Sequence, residues 1–183
     1  MSSHHIIRED QEPALVIMNT DAVPHERILE LLEWSPTIMV IESCLAAVLE
    51  WGIKVDVVIA PESKTGDLTA TLLYQFPVRI LSVQHEHEAL STALYFLIDA
   101  NQKAVNILSL EPLEKFEPFT ALDLSVFRYG KRWSFIRHGV YEKWLPAGRT
   151  IHVYLSDKNS SRKTLDDGII TIKRDAGFWV AEE

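Results

Sequence analysis

The chain has 183 residues, 47% hydrophobic and 24% charged, with a formal net charge of -8, the composition of a globular protein with a real core. A single cysteine excludes an internal disulfide framework and a cysteine-based zinc site. The acidic balance argues against a nucleic-acid partner, no apolar run approaches the roughly 20 residues that span a bilayer, and the N-terminus lacks the basic-then-apolar layout of a secretory leader, so a cytoplasmic protein is expected.

Ala14 to Met18 is a continuous apolar run closed by Asn19-Thr20-Asp21, which suits a buried parallel strand entering a polar loop. From His25 to Trp34 the apolar residues Ile28, Leu31 and Leu32 recur at helical spacing, and Pro36 follows. Ile38 to Ile41 reads as the next strand. Ser43 is placed to cap a helix whose Leu45, Val48 and Leu49 face the sheet, and Gly52 stops it. Val55 to Ile59 is a third strand, Leu68 to Tyr74 a short helix and Val78 to Val83 a fourth strand. Glu86 to Ala100 carries Ala89, Leu90, Ala93, Phe96 and Leu97 at helical spacing before a fifth strand, Ala104 to Leu108. This alternation predicts an α/β fold, a doubly wound, mostly parallel sheet flanked by helices, over residues 1–112.

Pro112 and Pro118 break the pattern and read as a linker over 113–122. Beyond it, Leu124 to Phe127, Trp133 to Arg137, Ile151 to Leu155, Ile169 to Lys173 and Phe178 to Ala181 are short β-like runs. Turn signals separate them at Tyr129-Gly130, Pro146-Ala147-Gly148, Asp157 to Ser160, Asp166-Asp167-Gly168 and Asp175-Ala176-Gly177. They predict a small antiparallel β domain over 123–183. The charge divides with the texture: residues 1–112 hold 6 Lys and Arg against 16 Asp and Glu, and residues 113–183 hold 12 against 10. Such a division suits an anion bound at the junction, head-to-tail pairing of copies, or two solvated surfaces.

The strand ends hold the candidate chemistry. Ile41-Glu42-Ser43 and Ala60-Pro61-Glu62-Ser63 put two carboxylates at neighbouring carboxyl ends, where open α/β sheets bind ligands and where magnesium-dependent phosphoryl transfer wants acids. Neither a P-loop, a dinucleotide fingerprint nor a hydrolase elbow is present. His85-Glu86-His87-Glu88 reads as a solvated helix start with acids facing the helix dipole, and as a metal pair only if extended. Asn159-Ser160-Ser161-Arg162-Lys163 is either a hairpin turn or a loop that cradles an anion. Cys44 packs at an apolar helix start, and Trp133, Trp144 and Trp179 read as β-domain core.

Four segments together resemble the thiamine pyrophosphokinase family over most of the chain. LEWGIKVDVVIAPES is similar to the family's L-G-I-K-P-D-x-I-x-G-D-F-D-S, and ALYFLIDANQKAVNIL to the helix and strand that follow its K-D-x-T-D motif. YEKWLPAGRTIHVYLS resembles the opening strands of its thiamine-binding β domain, and NSSRKTLDDGIITIKRDAGFWV the serine-rich loop and final hairpin. The resemblance implies transfer of diphosphate from ATP to thiamine, with carboxylates holding Mg²⁺ and a homodimer completing each site. It assigns Glu42, Glu62 and Glu86 to catalysis and Mg²⁺ if the chain is active, and Asn19, Ser43, Ser63, Ser160, Ser161 and Arg162 to ligand binding.

The motif positions depart from the family's chemistry. Glu42-Ser43 stands for Asp-Gly, Ala60-Pro61-Glu62-Ser63 for G-D-F-D-S, and His85-Glu86-His87-Glu88-Ala89 for K-D-x-T-D, where Ala89 removes an acid. The G-x-R-x-D-H loop has no counterpart after the fifth strand, the β domain is short, and Ser160-Ser161-Arg162-Lys163 replaces an amide and an acid by cations. The leading expectation is a catalytically degenerate homologue, a pseudoenzyme that binds thiamine or thiamine diphosphate, regulates or scaffolds without cofactor. The alternatives are an active, divergent diphosphokinase using Mg²⁺ and ATP, and a structural interaction protein without ligand; whether the chain is an enzyme stays open.

Overall fold

The computed structural model describes residues 12–33, 37–155 and 158–183. Its first half runs β1 (Ala14–Ile17), α1 (His25–Leu32), β2 (Ile38–Ile41), α2 (Glu42–Glu50), β3 (Val57–Pro61), α3 (Thr65–Thr71), β4 (Arg79–Val83), α4 (Ala89–Asp99) and β5 (Ala104–Leu108). Short 3₁₀ turns at Glu62–Lys64, Leu73–Gln75 and Glu86–Glu88 join these elements. A longer 3₁₀ helix, Leu113–Phe119, leads to β6 (Asp123–Arg128), β7 (Lys131–Ile136), β8 (Val140–Leu145), β9 (Thr150–Leu155), β10 (Lys158–Lys163), β11 (Gly168–Lys173) and β12 (Phe178–Glu182).

Strands β4, β3, β2, β1, β5 and β6 are parallel neighbours in that order, and β7, β12, β9 and β10 extend the same sheet antiparallel. The parallel centre is apolar throughout, since every residue of β1 and β2 is buried, as a sheet covered on both faces requires. A separate two-stranded antiparallel sheet, β8 with β11, lies near the C-terminus. Its Tyr141 and Leu145 pack with Ile151 and Val153 of β9 and Phe178 and Val180 of β12 in a second core. Trp179, between Phe178 and Val180, points to the opposite face and joins the main core, as alternation along a strand demands.

Several local expectations change. Glu42 already begins α2 with Ile41 as its N-cap, so Ser43 lies within the first turn and caps nothing. Gly52 does follow the helix, at φ +71°, a left-handed conformation that glycine adopts without Cβ strain. The short helix comes earlier than expected, as α3. The segment read as a linker carries buried Leu113, Phe116 and Phe119 into the main core. Phe116 meets Trp179 edge-on at 6.2 Å and Phe119 meets Tyr95 of α4 at 5.2 Å. Trp179 is core and Trp133 packs against it, whereas Trp144 is 59% exposed. Trp34, Pro36 and Asp157 lie outside the described residues.

Candidate functional site at the strand ends

In the order β5-β1-β2, strand β1 is followed in sequence by a neighbour on one side and β5 by a neighbour on the other. The chain thus leaves in opposite directions at the β1/β5 boundary, the switch point where open α/β sheets form a crevice beyond their carboxyl ends. The main-chain amides of Met18 and Asn19 both donate to the Leu108 carbonyl, at 2.9 and 3.0 Å, and tie the two strand ends together.

A cleft of about 570 Å³ opens there. Its polar lining is Asn19 after β1, Ser43 in the first turn of α2, Glu86 and His87 after β4, and Ser109 and Glu111 after β5. The Asn19 side-chain oxygen accepts the Asp21 amide at 2.8 Å, and the Ser109 hydroxyl accepts the Glu111 amide at 3.1 Å, so both loops are held by their own side chains. Ser109 is 1% exposed. Two carboxylates and an imidazole line the cleft and no lysine or arginine does so among the described residues; Glu111 is ion-paired with Lys115 at 2.8 Å, which leaves Glu86 as the acid that favours a cationic or hydrogen-bonding ligand.

Asn19 and Ser43, at the ends of the adjacent strands β1 and β2, therefore share one cleft with Glu86, which reaches it from the turn after β4, two strands beyond β2. Glu42 and Glu62 do not line it. Glu42 reaches sideways to the Lys64 ammonium at 2.6 Å, a contact between the ends of β2 and β3. Glu62 and Ser63 are exposed in the 3₁₀ turn after β3, where the Thr65 hydroxyl donates to the Glu62 carbonyl at 2.9 Å. Among the described residues, no three His, Cys, Asp or Glu side chains stand close enough to share a metal ion. The expected set of Glu42, Glu62 and Glu86 is thus not assembled, and the donors present do not fit a Mg²⁺ held by three carboxylates.

Ser160, Ser161 and Arg162 are not in a loop. They lie in β10, an exposed edge strand whose register sets Ser160 opposite Val153, Ser161 opposite His152 and Arg162 opposite Ile151. None of the three lines the strand-end cleft. The His85 to Glu88 stretch is a helix start, as expected. The Glu88 carboxylate accepts the Gln84 and His85 amides at 3.1 and 3.0 Å, and the His85 amide chiefly holds its pKa below the usual carboxylate range. Cys44 is buried, which raises its thiol pKa and leaves it a packing residue. Ser109 and Glu111 have no role assigned from sequence, although a serine directly after the apolar run Ala104–Leu108 is a strand-end signal of the same kind as Asn19; His87 lines the cleft singly and is not half of a metal pair with His85.

The whole architecture matches thiamine pyrophosphokinase from Bacillus subtilis with a TM-score of 0.61, over 93% of this chain and 97% of that one, at 10% identity. The fold is that of the thiamine pyrophosphokinases. The enzyme from Geobacillus thermodenitrificans matches with a TM-score of 0.58 over 93% and 96% of the two chains at 10% identity. That from Candida albicans gives 0.53 over 95% and 87% at 8% identity. No protein-family model and no curated protein matches the sequence. Among the described residues, no helix is long and apolar enough to cross a membrane.

Proposed function

We propose that this chain is a thiamine pyrophosphokinase-like protein that keeps small-molecule binding in the strand-end cleft and has lost diphosphate transfer. The ion pair of Glu42 with Lys64 carries this reading. It commits one of the two adjacent strand-end acids to a neighbouring cation, while Glu62 faces solvent. Phosphoryl transfer depends on positioned cations and preorganised electrostatics, so a dispersed set of acids leaves little turnover. The polar lining that remains, Glu86 with Asn19, Ser43 and Ser109, suits the cationic thiamine as ligand, while Glu111 is held by Lys115. A regulatory or scaffolding role in a cytoplasmic homodimer belongs to the same proposal, with residues 1–112 and 123–183 as its two functional parts.

Thermal unfolding with thiamine, thiamine diphosphate and ATP, each with and without Mg²⁺, tests it. A ligand at 100 times its dissociation constant stabilises the native state by about 2.7 kcal/mol, which raises Tm by roughly 5–10 °C in a chain of this length. Thiamine should give this shift, and Glu86→Gln should remove it. If the protein with Mg²⁺, ATP and thiamine produces thiamine diphosphate at about 1 s⁻¹ or faster, the active, divergent diphosphokinase is the correct reading.

A further inference from the structure

Away from the strand ends, four cations converge in a chain whose net charge is -8. Arg27 of α1, Arg132 of β7, Lys143 of β8 and Arg149 line a cleft of about 510 Å³ together with Tyr141 and a single carboxylate, Glu182. It shares no residue with the strand-end cleft. The register explains the gathering. Ser134 is paired with Val180, so Arg132 and Ser134 of β7 face the same side as Val180 and Glu182 of β12, under the wall made by α1 and the β8 hairpin.

The one carboxylate is already occupied. Glu182 accepts from the Tyr141 hydroxyl at 2.8 Å and from the Lys143 ammonium at 2.8 and 2.9 Å. Among the described residues, Arg132 donates only to the Ser125 hydroxyl, at 3.0 and 3.3 Å, the Arg149 side chain makes no hydrogen bond, and neither is ion-paired with a carboxylate. Arg27 pairs with Glu30, yet it sits over the same Phe127 ring as Arg132, at 5.6 against 5.8 Å. Desolvation, and then the like charge of Arg27, push the Arg132 pKa down. Gathering like charges in this way costs free energy that an anion in the cleft offsets.

We propose that this cleft binds the diphosphate group of a small molecule, free or as an ester, with the guanidiniums of Arg132 and Arg149 as its principal donors. Planar guanidiniums match phosphate oxygens in pairs, and Lys143 adds a point charge. Glu182 is the internal counter-anion that the ligand displaces, which frees Lys143 and the Tyr141 hydroxyl to donate to it. The inference stands on different residues from the proposed function and holds or fails independently of it.

Titration calorimetry with inorganic diphosphate, and separately with adenosine diphosphate, both without metal, tests the site. One saturable site per chain is expected, weakened at least about tenfold in Arg132→Gln and in Arg149→Gln, tightened in Glu182→Gln, and unchanged in Glu86→Gln. Arg132 and Arg149 are both exposed, so neither replacement removes a core residue and each tests the site separately. With that arginine dependence, tighter binding of the nucleotide supports an ester as ligand, and equal or weaker binding supports the free anion. Absence of saturable binding at millimolar concentration, undiminished affinity in both arginine variants, or loss in Glu86→Gln overturns the proposal.

Discussion

Phe116→Ala tests how the two halves of the sheet are joined. Phe116 is fully buried in the 3₁₀ helix between β5 and β6 and packs edge-on against Trp179 of β12, itself fully buried. Truncating a buried phenylalanine costs about 3–5 kcal/mol, within which the aromatic pair accounts for about 0.5–1.5 kcal/mol. For a domain of this size that is a Tm lower by roughly 6–20 °C. A linker residue in water would give a change within about 0.5 kcal/mol. Urea unfolding followed by tryptophan fluorescence and by far-UV circular dichroism measures the loss, with Leu73→Ala, at a 62% exposed position, as the control. A Phe116→Ala loss below about 1 kcal/mol, or one equal to that of Leu73→Ala, refutes the packing argument.

Breaking the Glu42–Lys64 pair by Lys64→Met should cost only about 0.2–1 kcal/mol, because Lys64 is largely solvated. It should leave thiamine affinity unchanged, since Glu42 does not line the cleft; a tenfold loss by calorimetry contradicts that placement. Burial raises the Glu182 pKa, but hydrogen bonds from Lys143 and Tyr141 and the field of Arg149 outweigh it and hold the group below its ordinary value. A depressed carboxylate contributes stability above its unfolded pKa and loses it as pH falls through the folded one. Urea midpoints of Glu182→Gln and wild type should therefore differ at pH 7 and converge on acidification; a constant difference defeats the assignment. At Gly139, φ +68°, an added Cβ would stand 2.3 Å from the Arg174 carbonyl oxygen, whereas at Gly130, φ +73°, nothing lies within 4 Å. Both alanine variants bear roughly 1–2 kcal/mol of left-handed strain, and Gly139→Ala should unfold at distinctly lower urea because of the added clash; equal midpoints oppose it.

The parallel half of the fold was legible because strands buried on both faces leave uninterrupted apolar runs, as in Ala14–Ile17 and Ile38–Ile41. The segment after β5 reads as a linker because Pro112 and Pro118 interrupt any α-helical pattern. Its real signal is Leu113, Phe116 and Phe119 at a spacing of three, which eclipses on one face of a 3₁₀ helix. β10 gave no signal, since an edge strand exposed along its length needs no apolar alternation. In the cleft, Asn19, Ser43 and Glu86 follow from backbone position alone. Glu42 does not, because the direction of its side chain depends on Lys64, 22 residues away. The cation cleft was invisible for a related reason: Arg27, Arg132, Lys143 and Arg149 come together only through the pairing of β7 with β12 and the folding of β8 over them.

The polar edge strand also governs how the molecule meets its own copies in a crowded solution. Any extended chain that sought to add beyond β10 would align with Lys158, Arg162 and Lys163 around two serines, a row of solvated charges with no apolar face to cover. Cationic edges of this kind discourage strand recruitment. A sheet of ten strands, long enough to template aggregation, is in this way closed by charge where no helix covers it.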